Sequence, residues 1–263
     1  MSEPDFDAVF SRIPQLQEFK VQDFSIVPLA GYTNRNYRVY NRRCDWILRI
    51  PRTATNRFID RDAEAHNQQL ACQLGLAPQA VWRDADGFSL TPTLTDSRAL
   101  CRADLVEGGT LGLCTEALRM LHHSDLRFHG QVNLGTLLEA HYALLQAPDR
   151  LQFSARMARA QELLEQLPDI DLEAVPSHND LVLENLLLDD SSLHIIDWEY
   201  SAMASPYWDL ATLCNEARFD HEQSSRFLRD YCAGDRSMKE SALFMYRELL
   251  QLLSDCWMRA HAC

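Results

Sequence analysis

The sequence predicts an α+β fold in two lobes, a small strand-rich one over residues 1–97 and a large helical one over residues 98–263. Three observations carry that expectation. Up to about residue 100 the apolar residues come in short runs broken by polar turns, the pattern of strands. From about residue 110 they recur at helical spacing. Between the two halves, near "TLTDSRALC" (93–101), the pattern changes without a repeat or low-complexity tract. With 46% hydrophobic residues the chain can bury a substantial core, and a ligand is expected between the lobes.

Each element follows in order. Residues 6–20 (FDAVFSRIPQLQEFK) predict a short helical lead-in broken at Pro14. "FSIVPLAGYTNRNYRVY" predicts two strands around a polar turn at Gly31–Asn36, and "CDWILRI" a third strand. Segment 57–75 has Ile59, Ala63, Leu70 and Leu74 at helical spacing and stops at Gly75. "AVWRD", a turn at Ala85-Asp86-Gly87 and "FSLTPTL" predict a hairpin. "TLGLCTEALRMLHHS", "LGTLLEAHYALLQA", 151–167 and 205–218 predict helices, as do "HEQSSRFLRDYC" and "SMKESALFMYRELLQLLSDCWMRAH".

Composition excludes several classes. The net charge of -13 lies wholly beyond residue 160, where 20 Asp and Glu face 7 Lys and Arg. An acidic second half argues against a nucleic-acid partner and favours a cationic ligand. No apolar run is long enough for a membrane span, and the N-terminus lacks a secretory pattern. A cytoplasmic location with no membrane partner is therefore expected. The eight cysteines form no C-x-x-C pair and no zinc-like grouping with histidine, so reduced thiols in the core are expected. The sequence carries no signal for an oligomeric state.

The chemistry concentrates in "HNDLVLENLLL" and "IIDWE". The first is H-x-D-x-x-x-x-N, with Asp180 and Asn185, and Asp197 follows twelve residues after Asn185. Phosphoryl transfer needs one carboxylate to orient and deprotonate an attacking hydroxyl. It also needs a neutral amide and a second carboxylate to hold Mg²⁺ on nucleotide phosphates. A loop bearing Asp180 and Asn185, followed by a strand ending at Asp197, places all three around one phosphate. Glu199 adds a further carboxylate near the metal. Gly31, Thr33, Asn34 and Asn36 form a turn that offers donors to phosphate. Lys20 and Lys239 are the only lysines, and neither lies on a strand before the helix at 57–75. The candidate phosphate cation is Arg49, in "WILRI", with Glu64 as its partner; Arg35 and Arg38 are the alternatives.

Together these motifs resemble the protein-kinase-like superfamily in its small-molecule branch, which includes choline, ethanolamine, thiamine and aminoglycoside kinases. "GYTNRNYRV", "WILRIPR", "AEAHNQQLACQLGLAP" and "HNDLVLENLL…HIIDWEYSAMASPYWDLATLCNEA" carry the resemblance, over about residues 30–220. It is nearest to bacterial choline and thiamine kinases. The resemblance implies a bilobal protein-kinase-like fold, ATP and Mg²⁺ as cofactors, and an arginine in the role of the usual lysine. It also implies a supporting role for Asp209 and a scaffold role for His178. Asn179 stands where protein kinases have arginine, Asp-Trp-Glu replaces Asp-Phe-Gly, and no A-P-E segment follows. A protein substrate is therefore not expected.

The acceptor is expected to be a small cationic alcohol. The acidic half carries Trp198, Tyr200, Tyr207, Trp208, Phe219, Tyr231, Phe244, Tyr246 and Trp257 as nine candidate aromatics, and aromatic faces with a carboxylate suit a quaternary ammonium or thiazolium. Helical spacing assigns most of them to the core and about three to a pocket. Tyr200 and Glu216 match positions that contact choline in choline kinases, and Phe244 and Trp257 complete the candidate set. "FMYRELL" stands where choline kinases often carry a tryptophan pair, which keeps thiamine and ethanolamine open. An aminoglycoside phosphotransferase would also favour an acidic pocket. A non-catalytic nucleotide-binding protein would be expected to lack Asp180, Asn185 or Asp197, and all three are present.

Overall fold

A computed structural model describes residues 4–31, 33–52, 59–107, 109–167, 173–190, 192–234 and 237–261. Helix α1 (Phe6–Arg12) is capped by Asp5, whose side chain accepts from the Ala8 amide, and it ends before Pro14. Its apolar side, with Ile13 and Leu16, packs under an antiparallel sheet. That sheet contains β1 (Ser25–Leu29), β2 (Asn34–Tyr40), β3 (Asp45–Pro51), β4 (Trp82–Arg83) and β5 (Ser89–Pro92), in the order β1-β2-β3-β5-β4. The ladder places Arg49 between Asn36 on β2 and Ser89 on β5. It also draws Asn34 and Asn36 into β2, so the β1–β2 turn is shorter than the Gly31–Asn36 turn the sequence predicts.

Helix α2 (Arg61–Gln73) starts at an Asp60 cap and stops before Gly75, which adopts φ +74°. The predicted segment began at Arg57; residues 57 and 58 lie outside the described set. The helix buries Arg61, Glu64 and Asn67, a polar stripe at three-residue spacing. Polar groups taken out of water require partners: Glu64 finds its own in Arg49, Arg61 and Arg83, while Arg61 and Asn67 reach Glu199, His129 and Ser201 in the second half of the chain.

The second half opens on β6 (Arg98–Ala99), which pairs with β8 (Leu186–Leu188), itself paired with β9 (Leu193–Ile195). A second small sheet joins β7 (Val175–Ser177) to β10 (Ala202–Ala204). These strands carry the 178–185 and 196–201 loops. Around them lie α3 (Arg102–Val106), α4 (Thr110–His122), α5 (Leu134–Leu144), α6 (Ala147–Gln166), α7 (Tyr207–Glu216), α8 (His221–Cys232) and α9 (Glu240–His261). The sequence pattern anticipated all of these helices but α3. Helix α6 starts four residues earlier than predicted, with Pro148 in its first turn, where the missing N–H costs nothing. Helix α9 packs along α5, α6 and α7. A single apolar core includes Leu118, Leu121, Trp198, Tyr207 and Phe227, and it reaches the C-terminal end of α2 at Ala71, Leu76 and Ala77. The seven described cysteines are free, and Cys114, Cys214 and Cys256 are buried. Among the described residues no helix is long and apolar enough to cross a membrane.

Candidate active site

The 178–185 loop is held from behind by α7. Asp209 is fully buried near the start of that helix. Its Oδ2 accepts the His178 amide and its Oδ1 the Asn179 amide, both at 2.8 Å. His122 of α4 donates to the same carboxylate from Nε2 at 3.1 Å, and its Nδ1 lies 2.9 Å from the Tyr231 hydroxyl. Burial pushes the Asp209 carboxyl up, but His122 and the loop outweigh it and hold it below the usual range. Asn179 adopts φ +65°, a left-handed conformation that asparagine tolerates. Its amide donates to the Tyr200 carbonyl at 3.0 Å.

His178 is sealed from solvent. Its Nε2 donates to the Ile196 carbonyl at 3.0 Å, which leaves Nδ1 to accept the Asp180 amide at 3.3 Å. Both nitrogens are engaged and burial lowers its pKa, so it is a neutral brace. Asn185 donates from Nδ2 to the Asp180 carbonyl at 2.9 Å and to Asp180 Oδ2 at 3.3 Å. That orientation turns Asn185 Oδ1 away as the oxygen open to a cation. Asp180 thereby keeps Oδ1 for an incoming hydroxyl.

Asp197 sits at the end of β9 in a left-handed conformation (φ +63°, ψ +64°), the kind of strain that functional turns retain. Burial, then Glu199, raise its carboxyl to about 8, against the pull of Arg49. Burial and Glu199 likewise raise Asp180 to about 7, with Asn185 opposing and Glu216 adding to the repulsion. Two carboxyls raised by burial and by one another mark a place prepared for positive charge.

The positive side comes from the sheet. Arg49 NH1 lies 2.5 Å from Glu64 Oε1 and 3.6 Å from Asp197 Oδ1, and its Nε donates to the Gly87 carbonyl at 3.3 Å. Its NH2 is buried without a hydrogen-bond partner, as is Asp197 Oδ1. A donor and an acceptor left unmet so close together suit a phosphate and its counter-cation. Arg38, by contrast, is committed to Asp45 through two bonds of 2.9 and 2.5 Å. Arg35 is next to Asn36 along β2 and so points to the other face of the sheet from Arg49's partner.

The remaining predicted residues divide. An added Cβ at Gly31 would lie 2.8 Å from the Asn34 carbonyl, so the turn there requires glycine. Asn34 donates to Glu199 Oε2 at 2.8 Å and Asn36 to the Ala30 carbonyl at 3.4 Å, so both amides brace protein. Thr33 is buried beside Asn34, 3.2 Å from its amide. Glu199 is almost fully buried, and its Oε2 also lies 3.2 Å from Arg61 NH1. Tyr200 is half-buried, and burial with Glu199, Asp180 and Asp197 raises its hydroxyl pKa, which puts the ring beside the cluster. Glu216 approaches the loop at Leu183, and burial raises its carboxyl. Phe244 stacks on His221, with ring centroids 4.4 Å apart. Trp257 lies about 20 Å further along α9 and stacks on His261.

Sequence reasoning missed Arg61 and Arg83. Arg61 NH1 is 2.6 Å from Glu64 Oε2, and Arg83 NH1 is 3.4 Å from Glu64 Oε1. Arg61 was detectable only as a cation three residues before Glu64 on one helix face. Among the described residues no three His, Cys, Asp or Glu side chains form a metal cluster. Mg²⁺ requires no such cluster, because it takes most of its ligands from phosphate and water. Asn185 Oδ1 and Asp197 are a hard-oxygen pair of that kind.

Comparison with known proteins agrees with this geometry. Residues 25–249 match the phosphotransferase enzyme family. The chain belongs to that family. Protein LicA of Haemophilus influenzae strain Rd is 33% identical over 204 residues, 76% of each chain. A second LicA sequence from that species is 32% identical over 208 residues, and there the match spans 61% of the relative. The family fold is also seen in the choline kinase LicA from Streptococcus pneumoniae. That structure has a TM-score of 0.85 at 21% identity, over 98% of this chain and 91% of the other. A choline/ethanolamine kinase family protein from Mesorhizobium loti has a TM-score of 0.78 at 25% identity, over 96% and 84%. The kinase-like α+β fold expected from the sequence is the fold of this family member.

Proposed function

We propose that the protein transfers the γ-phosphoryl group of ATP, as its Mg²⁺ complex, to the hydroxyl of a small cationic alcohol, with choline the first candidate. The observation that carries this reading is the convergence of Asp180, Asp197 and the Arg49–Glu64 pair in one largely buried charged cluster. In it, residues up to 97 form the nucleotide lobe and residues from 98 the catalytic and acceptor lobe. Asp180 Oδ1 receives the acceptor hydroxyl. The acceptor oxygen bonds to the γ-phosphorus, the bond to the β,γ-bridging oxygen breaks, the proton passes to Asp180 and ADP leaves. Arg49 meets the phosphates as a fixed planar cation. Asn185 and Asp197 would hold the metal, with Glu199 behind them. The chemistry a bound Mg²⁺ supplies is neutralisation of charge on the phosphate oxygens.

Support for a cationic acceptor comes from the surplus of carboxylates. Besides burial, Glu199 raises the cost of ionising both Asp180 and Asp197, and Glu216 adds to that of Asp180, and Tyr200 offers an aromatic face beside them. Phe244 and Trp257 are the further aromatic candidates. The relatives described as choline kinases support the same choice. The test is steady-state ATP turnover with Mg²⁺ against choline, ethanolamine, thiamine and an aminoglycoside. Preference for choline is expected. Phosphorylation of thiamine or ethanolamine alone would move the acceptor within the family, use of the aminoglycoside alone would move the protein to the antibiotic-modifying kinases, and turnover of none would leave a nucleotide-binding protein.

A further inference from the structure

We infer that Arg61 is a positioning residue for phosphoryl transfer, locking the Asp197–Glu199 turn to the Arg49–Glu64 pair in one geometry. The inference rests on the transfer reading above and adds to it a residue that touches no reactant.

The contacts form a closed circuit. From Asp197 the path runs 3.6 Å to Arg49, 2.5 Å to Glu64, 2.6 Å to Arg61 and 3.2 Å to Glu199, two residues from where it began. Arg61 also reaches Asn34 Oδ1 at 3.4 Å, and Asn34 returns a 2.8 Å bond to Glu199. One guanidinium therefore touches α2, β2 and the turn that carries the metal-facing carboxylate. Its side chain is 7% exposed. A rigid planar fork satisfies three partners at fixed angles; a lysine ammonium offers a point charge on a flexible stem.

Arg61 sits in this place against two local costs. It is the first residue of α2, where the helix dipole disfavours a cation. It is also buried, which disfavours any charge without partners. The backbone makes room for it as well. Gly87, in the β4–β5 turn at φ +89°, faces its stem, and an added Cβ there would clash with Arg61 Nε and lie 2.7 Å from its Cδ. The same glycine's carbonyl accepts from Arg49. One turn thus seats both arginines of the circuit.

The experiment compares wild type with Arg61→Lys, Gly87→Ala, Glu199→Gln and the Arg61→Lys/Glu199→Gln double variant. Gly75→Ala serves as the control, since Gly75 also has positive φ but has nothing within 4 Å of an added Cβ. Equilibrium Mg·ADP affinity, kcat and KM for each substrate, and thermal midpoint are measured on folded protein. Arg61→Lys should weaken Mg·ADP about tenfold and lower kcat/KM for ATP to match, with the acceptor KM within twofold. Gly87→Ala should move in the same direction and Gly75→Ala should not. The lysine substitution should cost less on the Glu199→Gln background than alone, because the two share the Arg61–Glu199 contact. Unchanged Mg·ADP affinity with only a lower midpoint would reduce Arg61 to a structural ion pair and overturn the inference, as would full additivity in the double variant. Wild-type protein that neither binds Mg·ADP nor turns over ATP would overturn the transfer reading itself, and the inference with it.

Discussion

Replacing Asp180 by asparagine keeps the shape of the side chain and an oxygen to accept from Asn185, but removes the charge. The carboxyl is raised from an ordinary 3.8 to about 7 by burial and by Glu199. At 1.36 kcal/mol per pH unit, that rise sets a ceiling of about 4 kcal/mol on the cost of ionising it in the nucleotide-free fold. Asp180 keeps partial solvent exposure, so screening reduces the usable figure to about 1–2 kcal/mol. For a chain of this size each kcal/mol moves the thermal midpoint by about 2–4 °C. Asp180→Asn is therefore expected to raise the midpoint of the metal- and nucleotide-free protein by about 3–6 °C at pH 8, while cutting transfer by about 10²–10⁴.

The pH dependence carries the sign. A carboxyl whose folded-state pKa is raised costs nothing while both states are protonated, below about 4. The cost grows between about 4 and about 7 and is constant above. The stabilisation by Asp180→Asn should accordingly fall to under half its pH 8 value when melting is repeated in EDTA at pH 5. A gain of equal size at both pH values would mean the substitution acts through packing. A loss of stability at pH 8 would refute the claim that the opening is strained by unmet negative charge.

Three further outcomes follow from the same geometry. Arg49→Lys should keep more activity than Arg49→Ala, since a point charge still meets phosphate; equal and mild effects in steady-state kinetics would move the phosphate cation to Arg35 or Arg38. Asp197→Ala and Asn185→Ala should raise the Mg²⁺ concentration for half-maximal rate, because each removes a hard oxygen, and an unchanged Mg²⁺ titration in both would place the metal elsewhere. Tyr200→Ala should raise the acceptor KM about tenfold or more, given ~2 kcal/mol for a desolvated cation–π contact. The ATP KM should stay put, and a neutral isostere such as 3,3-dimethylbutanol that competes as well as choline would rule the cation box out.

How far the sequence anticipates this arrangement depends on how local each feature is. Asp180, Asn185 and Asp197 stand out because one loop and the adjoining hairpin of β8 and β9 set their spacing. Strands β2 and β3 stand out because their short apolar runs are set off by polar turns. The apolar spacing locates helix α2 but not the polar groups it buries. Ile59, Ala63, Leu70 and Leu74 gave the helical period, whereas the stripe that faces the second half of the chain is Arg61, Glu64 and Asn67. Asn67 donates to the His129 and Ser201 carbonyls and accepts the His129 amide. No hydrophobic count detects a helix that docks through polar groups, and the Asn67 partners lie more than sixty residues away. The two-residue strand β6 escaped for a related reason: its pairing with β8 bridges almost ninety residues.

The acceptor side shows the same limit most sharply. Of the nine aromatics expected to include a pocket, Trp198, Tyr207, Trp208, Phe219, Tyr231 and Tyr246 are buried in the core, while Tyr200, Phe244 and Trp257 stay partly exposed. Helical spacing is the same for a residue that fills a core and one that lines an opening. Trp198 and Tyr200 differ by two positions in one short turn, yet Trp198 turns inward to donate to the Ile195 carbonyl and Tyr200 faces the carboxylates. What separates them is Glu199, whose capture by Asn34 and Arg61 fixes the rotation of the turn about its own axis. The proposed catalytic and metal-holding residues Asp180, Asn185 and Asp197 thus lie close together in the sequence. The face proposed to meet the acceptor is set by contacts that reach Glu199 from β2 and α2.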